Sequence, residues 1–229
     1  MTSGSTYPPV VYREGDGYTG AAVDVLRTAL RRVGVRLETT YVGPFKRVLM
    51  QARHGKLDGL PGLYRLEERE QYYRYVAPIG PDPVAVFVRE GSDIRFTQLR
   101  DLKGHHGATR LGDSFGSEFD RYAEAHLDIS RHGDVGKIMR MLAAGRVDYA
   151  VFGYYAGRKA AREAGVADAV TARTDTWVTN QPLWLVISKQ SPCTAIADAL
   201  AAELDALRDN GAFQEAVERH MDKLGEAGG

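Results

Sequence analysis

Arg69 stands in the charge-rich run Glu67 to Arg74. A guanidinium is always charged and presents a planar fork of donors, so it can grip a carboxylate through two parallel hydrogen bonds. The plainer reading of an arginine in such a run is a solvated one. A second group lies in the loop Arg110-Leu111-Gly112-Asp113-Ser114. Ser114 falls where the sequence predicts a helix to begin, and a hydroxyl beside the N–H groups of a helix N-terminus suits an anion. An ordinary N-cap is the plainer role, and the two roles are compatible. Arg110 and Asp113 flank the same loop and face either a cleft or solvent.

The same loop reads Gly112-Asp113-Ser114-Phe115-Gly116, which fits the Gly-x-Ser-x-Gly elbow that exposes a nucleophile between a strand and a helix. An elbow also needs a histidine and an acid brought to the serine. His220 comes late enough in the chain, but nothing in the sequence pairs it with Ser114. His105 and His106 adjoin, and neighbouring strand residues point to opposite faces. With no His-x-x-x-His pair and no phosphate-binding Gly-x-x-x-x-Gly-Lys-Ser/Thr loop, neither a metal nor another cofactor is expected. Cys193 is the single cysteine, which excludes an intrachain disulfide and a multi-cysteine metal site. Its plain reading is a small side chain near a helix start.

These groups must be held by a chain of 229 residues, long enough for one large domain or two small lobes. Lysine plus arginine and aspartate plus glutamate number 30 each, so the basic excess of a general nucleic-acid binder is missing. No apolar run approaches the roughly 18 residues that span a bilayer. The start Met1-Thr2-Ser3-Gly4-Ser5 contains no signal peptide and reads as a beginning placed where a leader was removed.

Strand and helix patterns alternate. Val10 to Tyr12 reads as a strand, and Ala22, Val25, Leu26, Ala29, Leu30 and Val33 recur at helical spacing until Gly34. Val35 to Val42 reads as a strand, Pro44 opens a helix that Gly55 ends, and Leu57 to Leu60 is a strand. A second round runs through a strand at Gly107 to Thr109, a helix from Ser114 to Ala125 and a strand at Leu127 to Ser130. It continues with a helix from Val135 to Ala144 and a strand from Val147 to Phe152. Leu183 to Ser188 is the last strand, and helices from Thr194 to Arg208 and Ala212 to Lys223 close the chain. This order predicts an α/β sheet with crossover helices. Residues 47–60 and 137–150 echo one another: an amphipathic helix, a glycine stop, a basic residue, an apolar residue, then an aspartate opening a strand. The echo favours two lobes of similar build. Ligands of open α/β sheets bind outside the carboxyl ends of the strands, so two facing lobes would make a cleft.

Pieces of the sequence resemble the bacterial extracellular solute-binding proteins of family 3, the polar amino-acid-binding class of ABC transporters. They are Tyr7-Pro8-Pro9, Gly20 to Val25, Gly55-Lys56-Leu57-Asp58, Glu67-Glu68-Arg69-Glu70, Asp101-Leu102-Lys103-Gly104, Gly145-Arg146-Val147-Asp148 and Asn210-Gly211. They match in order and spacing over nearly the whole chain. The resemblance implies two Rossmann-like lobes joined by two crossover strands, Val84 to Arg89 and Leu183 to Ser188. Residues 1 to 89 plus 187 to 229 would form the first lobe and 90 to 186 the second. It further implies a periplasmic monomer that closes around a small ligand and serves a membrane permease of an ABC transporter.

On the same resemblance, Arg69 binds the ligand's α-carboxylate, Tyr7 and Phe45 wall its side chain, and Gly62 and Tyr64 line the first-lobe floor. Tyr64 replaces the usual small hydroxyl residue. Ser114 points toward the carboxylate; from the residues themselves, Arg110 and Asp113 of the same loop and Tyr154, next to Gly153, are further candidates in the second lobe. One departure matters. Where the family carries an aspartate for the ligand's α-ammonium, this chain has Gly153. A buried ammonium without a partner is costly. Either Asp113 or another acid substitutes, or the ligand is not a standard α-amino acid and carries a second anionic or aromatic group met by Arg110. Two other classes remain open: the sensing domain of a membrane-bound signalling protein, and a small dehydratase on the same fold, which would need a cleft acid for proton transfer.

Overall fold

The computed structural model describes residues 7 to 226, so the start Met1 to Ser5 lies outside the described residues. In chain order the elements are β1 (Tyr12–Glu14), β2 (Gly17–Thr19), α1 (Ala21–Arg32), α2 (Phe45–Arg53), β3 (Gly59–Leu63), α3 (Glu67–Glu70) and β4 (Tyr73–Arg89). Then come β5 (His106–Arg110), α4 (Ser117–His126), β6 (Asp128–His132), α5 (Val135–Ala143), β7 (Tyr149–Gly153), α6 (Tyr154–Glu163) and β8 (Val170–Arg173). β9 (Thr179–Ser188), α7 (Ala197–Asp209) and α8 (Ala212–Glu226) complete the chain.

The chain forms two compact units. One takes the sequence up to Pro81 together with the sequence from Pro182 to α8, and the other is Asp82–Gln181. The chain leaves the first unit within β4 and returns to it within β9. The expected crossovers Val84 to Arg89 and Leu183 to Ser188 are thus parts of longer strands. β4 carries Pro78, Pro81 and Pro83. Proline lacks a ladder donor and ordinarily argues against a strand, which is why its first half is not legible from pattern.

In the first unit β3 pairs antiparallel with β9, Gly59 opposite Ile187 and Leu60 opposite Val186, and β9 neighbours β4. Val48 and Ala52 of α2 pack with Leu60, Leu63, Tyr73 and Val186. α1 packs against both α7 and α8, burying Leu26, Ala29 and Leu30 on its inner stripe together with Leu200, Leu204 and Val217. Val35 to Val42 is not a strand. Its alternation is real, but its backbone finds few ladder partners. The Thr39 hydroxyl accepts from Tyr18 N–H at 3.1 Å, and Tyr41 N–H donates to Asp16 O at 3.0 Å. The strand expected at Val10 to Tyr12 begins at Tyr12 instead and forms a hairpin with β2.

In the second unit β4 lies between β7 and β8, antiparallel to both, and β5 lies between β7 and β6, parallel to both. Successive residues face opposite ways, so each strand serves two cores. Ala85, Phe87, Ala150 and Phe152 meet Ile138, Met139 and Leu142 of α5 and Ala161 of α6 on one face. Val86, Val88, Tyr149 and Val151 meet Phe119 and Ala123 of α4 with Phe96 and Leu102 on the other. The sequence reading places no element between Phe152 and Leu183, yet α6 and β8 are there. Gly157 and Gly165 lower helix propensity across this stretch.

The echoed segments become α2–β3 and α5–β7, one pair per unit. Both helices end alike. Gly55 (φ +69°) and Gly145 (φ +67°) adopt the left-handed conformation. Lys56 N–H donates to Gln51 O, and Arg146 N–H to Met141 O, at 2.9 Å in each case. That six-to-one bond satisfies carbonyls the helix leaves open. Each following aspartate then ties down a neighbouring segment: Asp58 accepts from the Ser191 hydroxyl at 2.6 Å, and Asp148 from His106 N–H at 2.8 Å.

Candidate functional site

In the first unit the backbone of Leu63 to Glu67 leaves β3 and turns into α3, a single turn that carries Arg69. Arg69 is half-buried. Its Nη1 donates to Tyr64 O at 3.2 Å, and the Tyr75 hydroxyl donates to the same carbonyl at 3.0 Å. Among the described residues Tyr64 O is the only acceptor for Arg69, so the rest of the fork is uncommitted. Arg69 lines a groove of about 440 Å³ whose wall also includes Leu49, Met50, Arg53, Glu68 and Tyr72. The Arg53 guanidinium lies over the Tyr72 ring, 3.7 Å from its centroid. Tyr73 donates its hydroxyl to Leu49 O at 2.7 Å. Burial pushes the Tyr73 phenol above its usual range, while the charges of Arg69 and Arg53 pull it back.

The other residues expected in this unit are spread around its edge. Tyr7 N–H donates to Val11 O at 2.6 Å, and Tyr7 O accepts from Val10 and Val11. Phe45 is the first residue of α2, half-buried against the β3 core. Gly62 has φ +81°, and a side chain there would meet only Val11, at 3.9 Å. Tyr64 is 40% exposed. Among these, the groove gathers Arg69 alone. It adds Arg53 and Tyr72, which sequence reasoning missed. Arg53 lies eight residues past Phe45 on the same helix, so only the i, i+4, i+8 spacing could have flagged it.

In the second unit Arg110 ends β5. Its Nε and Nη2 both donate to Asp113 Oδ1, at 2.9 and 2.7 Å. Arg131 donates to Asp113 O at 3.0 Å. The structure thus joins Arg110 and Asp113 to one another. Ser114 does not begin a helix, contrary to the sequence expectation. α4 starts at Ser117 after Gly116, whose φ of +102° breaks the approach. Asp120, one turn inside the helix, reaches back instead. It accepts the Ser114 hydroxyl and, through Oδ1, Phe115 N–H at 3.1 Å. Tyr154 opens α6 and packs edge-on against Tyr155 and Trp177, with centroids 5.4 Å away in each case. Gly153 ends β7 and precedes Tyr154 as the N-cap residue.

His220 is committed within the first unit. Its Nδ1 lies 2.8 Å from the Tyr12 hydroxyl and its Nε2 2.9 Å from Asp24 Oδ2. Both ring nitrogens are therefore used, and Ser114 bonds Asp120, so among the described residues nothing pairs His220 with the elbow serine.

The sequence matches the family model of the bacterial extracellular solute-binding proteins, family 3, over residues 1–223. No curated protein matches it. The fold is similar to that of substrate binding domain 2 of Lactococcus lactis GlnP, with a TM-score of 0.75, 17% identity, 96% of this chain covered and 94% of that one. It is similar to the L-cystine solute receptor of Neisseria gonorrhoeae, with a TM-score of 0.76, 17% identity, and 96% and 90% covered. A histidine kinase sensor domain with similarity to periplasmic binding proteins matches with a TM-score of 0.59, 20% identity, and 95% and 92% covered. At such identities the likeness speaks to the fold, an α/β architecture of two Rossmann-like lobes joined by two crossover strands. With the sequence match over residues 1–223, the chain belongs to the bacterial extracellular solute-binding proteins, family 3.

Proposed function

We propose that this protein captures a small, polar, carboxylate-bearing solute, an amino acid or related organic acid, and hands it unchanged to the membrane permease of an ABC transporter. On this reading residues 1 to 89 plus 187 to 229 are one lobe and 90 to 186 the other. It acts in the periplasm as a monomer and is a binder, with no catalytic role. Arg69 takes the carboxylate. Tyr7, Phe45, Gly62 and Tyr64 serve the ligand from one lobe, and Ser114, Arg110, Asp113 and Tyr154 from the other.

The observation that carries this reading is Arg69: half-buried, held by one bond to Tyr64 O, with the remainder of its fork free of protein acceptors among the described residues. Family membership supplies the class of function. Two facts favour an acid without an α-ammonium. Position 153 is glycine, and Asp113 already receives both nitrogens of the Arg110 fork. Calorimetry against free amino acids and simple organic acids tests the reading. We expect a carboxylate ligand to bind and Arg69→Ala to weaken it at least tenfold, since a hydrogen bond to a charged group contributes about 1.5–3 kcal/mol. Undiminished binding by Arg69→Ala would refute it.

The likeness to a kinase sensor domain supports a second reading, in which the same module reports its ligand to a membrane-bound signalling protein. The full reading frame and its neighbours decide between the two: a fused kinase or cyclase favours sensing, an adjacent permease favours uptake.

A further inference from the structure

We infer that Arg53 is a second anion-binding residue of the first unit, and that the solute this groove prefers carries two acidic groups separated by a short apolar spacer. The inference rests on Arg69 being the carboxylate partner proposed above, and it names the ligand class more narrowly.

Three observations carry it. First, Arg53 and Arg69 line one groove of about 440 Å³, and both charges act on the Tyr73 phenol within it. Glu68 is the carboxylate on its wall, and among the described residues Glu68 pairs with neither arginine. A cleft dominated by one sign of charge concentrates counter-ions and leaves like charges to be relieved by an anion. Second, Arg53 is oriented before any ligand arrives. The guanidinium rests over the Tyr72 ring, 3.7 Å from its centroid, and among the described residues no hydrogen-bond acceptor takes its N–H groups. A pre-set fork loses less side-chain freedom on binding than a free one. Third, the arginine that the sequence suggested for a second acid is not similarly open. Arg110 gives Nε and Nη2 to Asp113. Beside the two cations, Leu49, Met50 and the Tyr72 ring give the same groove apolar lining, and Met50 is 54% exposed. That combination suits a methylene or aromatic spacer with an acid at each end.

Calorimetry on the full chain with glutarate against butyrate, and isophthalate against benzoate, tests this. For the wild type we expect each diacid to bind at least tenfold tighter than its monoacid. Arg53→Gln should bring the diacid to the level of the monoacid. Arg53→Lys, which keeps charge without the stacked fork, should restore part of the difference. Circular dichroism checks that the variants fold. An unchanged diacid preference in Arg53→Gln overturns the inference, as does a wild type that shows no preference or binds none of the four probes. If Arg53→Gln removes the preference but Arg69→Gln leaves monoacid binding intact, the role of Arg53 stands and that of Arg69 fails.

Discussion

His220 ties three distant stretches of chain together. It sits on α8, is 7% exposed, and bridges the Tyr12 hydroxyl of β1 to the Asp24 carboxylate in the first turn of α1. Asp24 also pairs with Arg27 at 2.9 Å. The bond to His220, and then the charges of His220, Arg27 and Arg219, hold the Asp24 carboxyl below the usual carboxylate range despite its partial burial. A carboxyl whose folded pKa is depressed contributes stability that is complete above its unfolded pKa of about 3.9 and is lost as pH falls through the lower folded value. Asp24→Asn should therefore cost about 1–2 kcal/mol at pH 7. In urea unfolding that deficit should shrink as pH drops below about 4. A deficit of equal size at pH 7 and pH 3 would show that the amide's shape, and not the charge, is responsible.

At the level of elements, glycine is used in two opposite ways. At Gly55 and Gly145 it ends a helix because the left-handed backbone demands it. Inside α6 it makes room. A Cβ at Gly157 would come 2.3 Å from Phe87 Cζ, and Phe87 is wedged in the β4 core beside Phe152, centroids 6.4 Å apart. Glycine to alanine in a helix interior ordinarily stabilises by about 1 kcal/mol. Here overpacking, typically about 1–3 kcal/mol, outweighs that gain. Gly157→Ala should lower the melting temperature; a rise would mean that Phe87 moves aside without loss. In the second unit α6 approaches the sheet this closely at Phe87 because position 157 has no side chain.

Across the whole molecule, a ligand that binds only the folded chain raises its stability by mass action, by about 2.7 kcal/mol at a hundredfold excess over the dissociation constant. A thermal-shift panel of organic acids should thus move the wild-type melting temperature upward and move that of Arg69→Ala by about half as much or less, since a tenfold loss of affinity roughly halves this gain. The α/β class, the paired α2–β3 and α5–β7 segments and their glycine stops were legible in the sequence. Period-2 and period-3.6 apolar patterns and left-handed caps are local properties of neighbouring residues, and Gly55 and Gly145 state them directly. The motifs around Tyr7, Arg69 and Gly145 were likewise enough to point to the family. What the sequence left open depended on partners far along the chain. Whether Val35 to Val42 forms a ladder depends on Tyr18 and Asp16. Whether Ser114 caps a helix depends on Asp120 and the backbone at Gly116, and whether Arg110 is available depends on Asp113. The placing of Arg53 and Arg69 on one groove, and the bond of His220 to Asp24, bring together residues 16 and 196 positions apart. Pattern reports which face a side chain shares with its near neighbours; only the folded chain decides which distant acceptor it meets there, because that is set by how strands and helices pack.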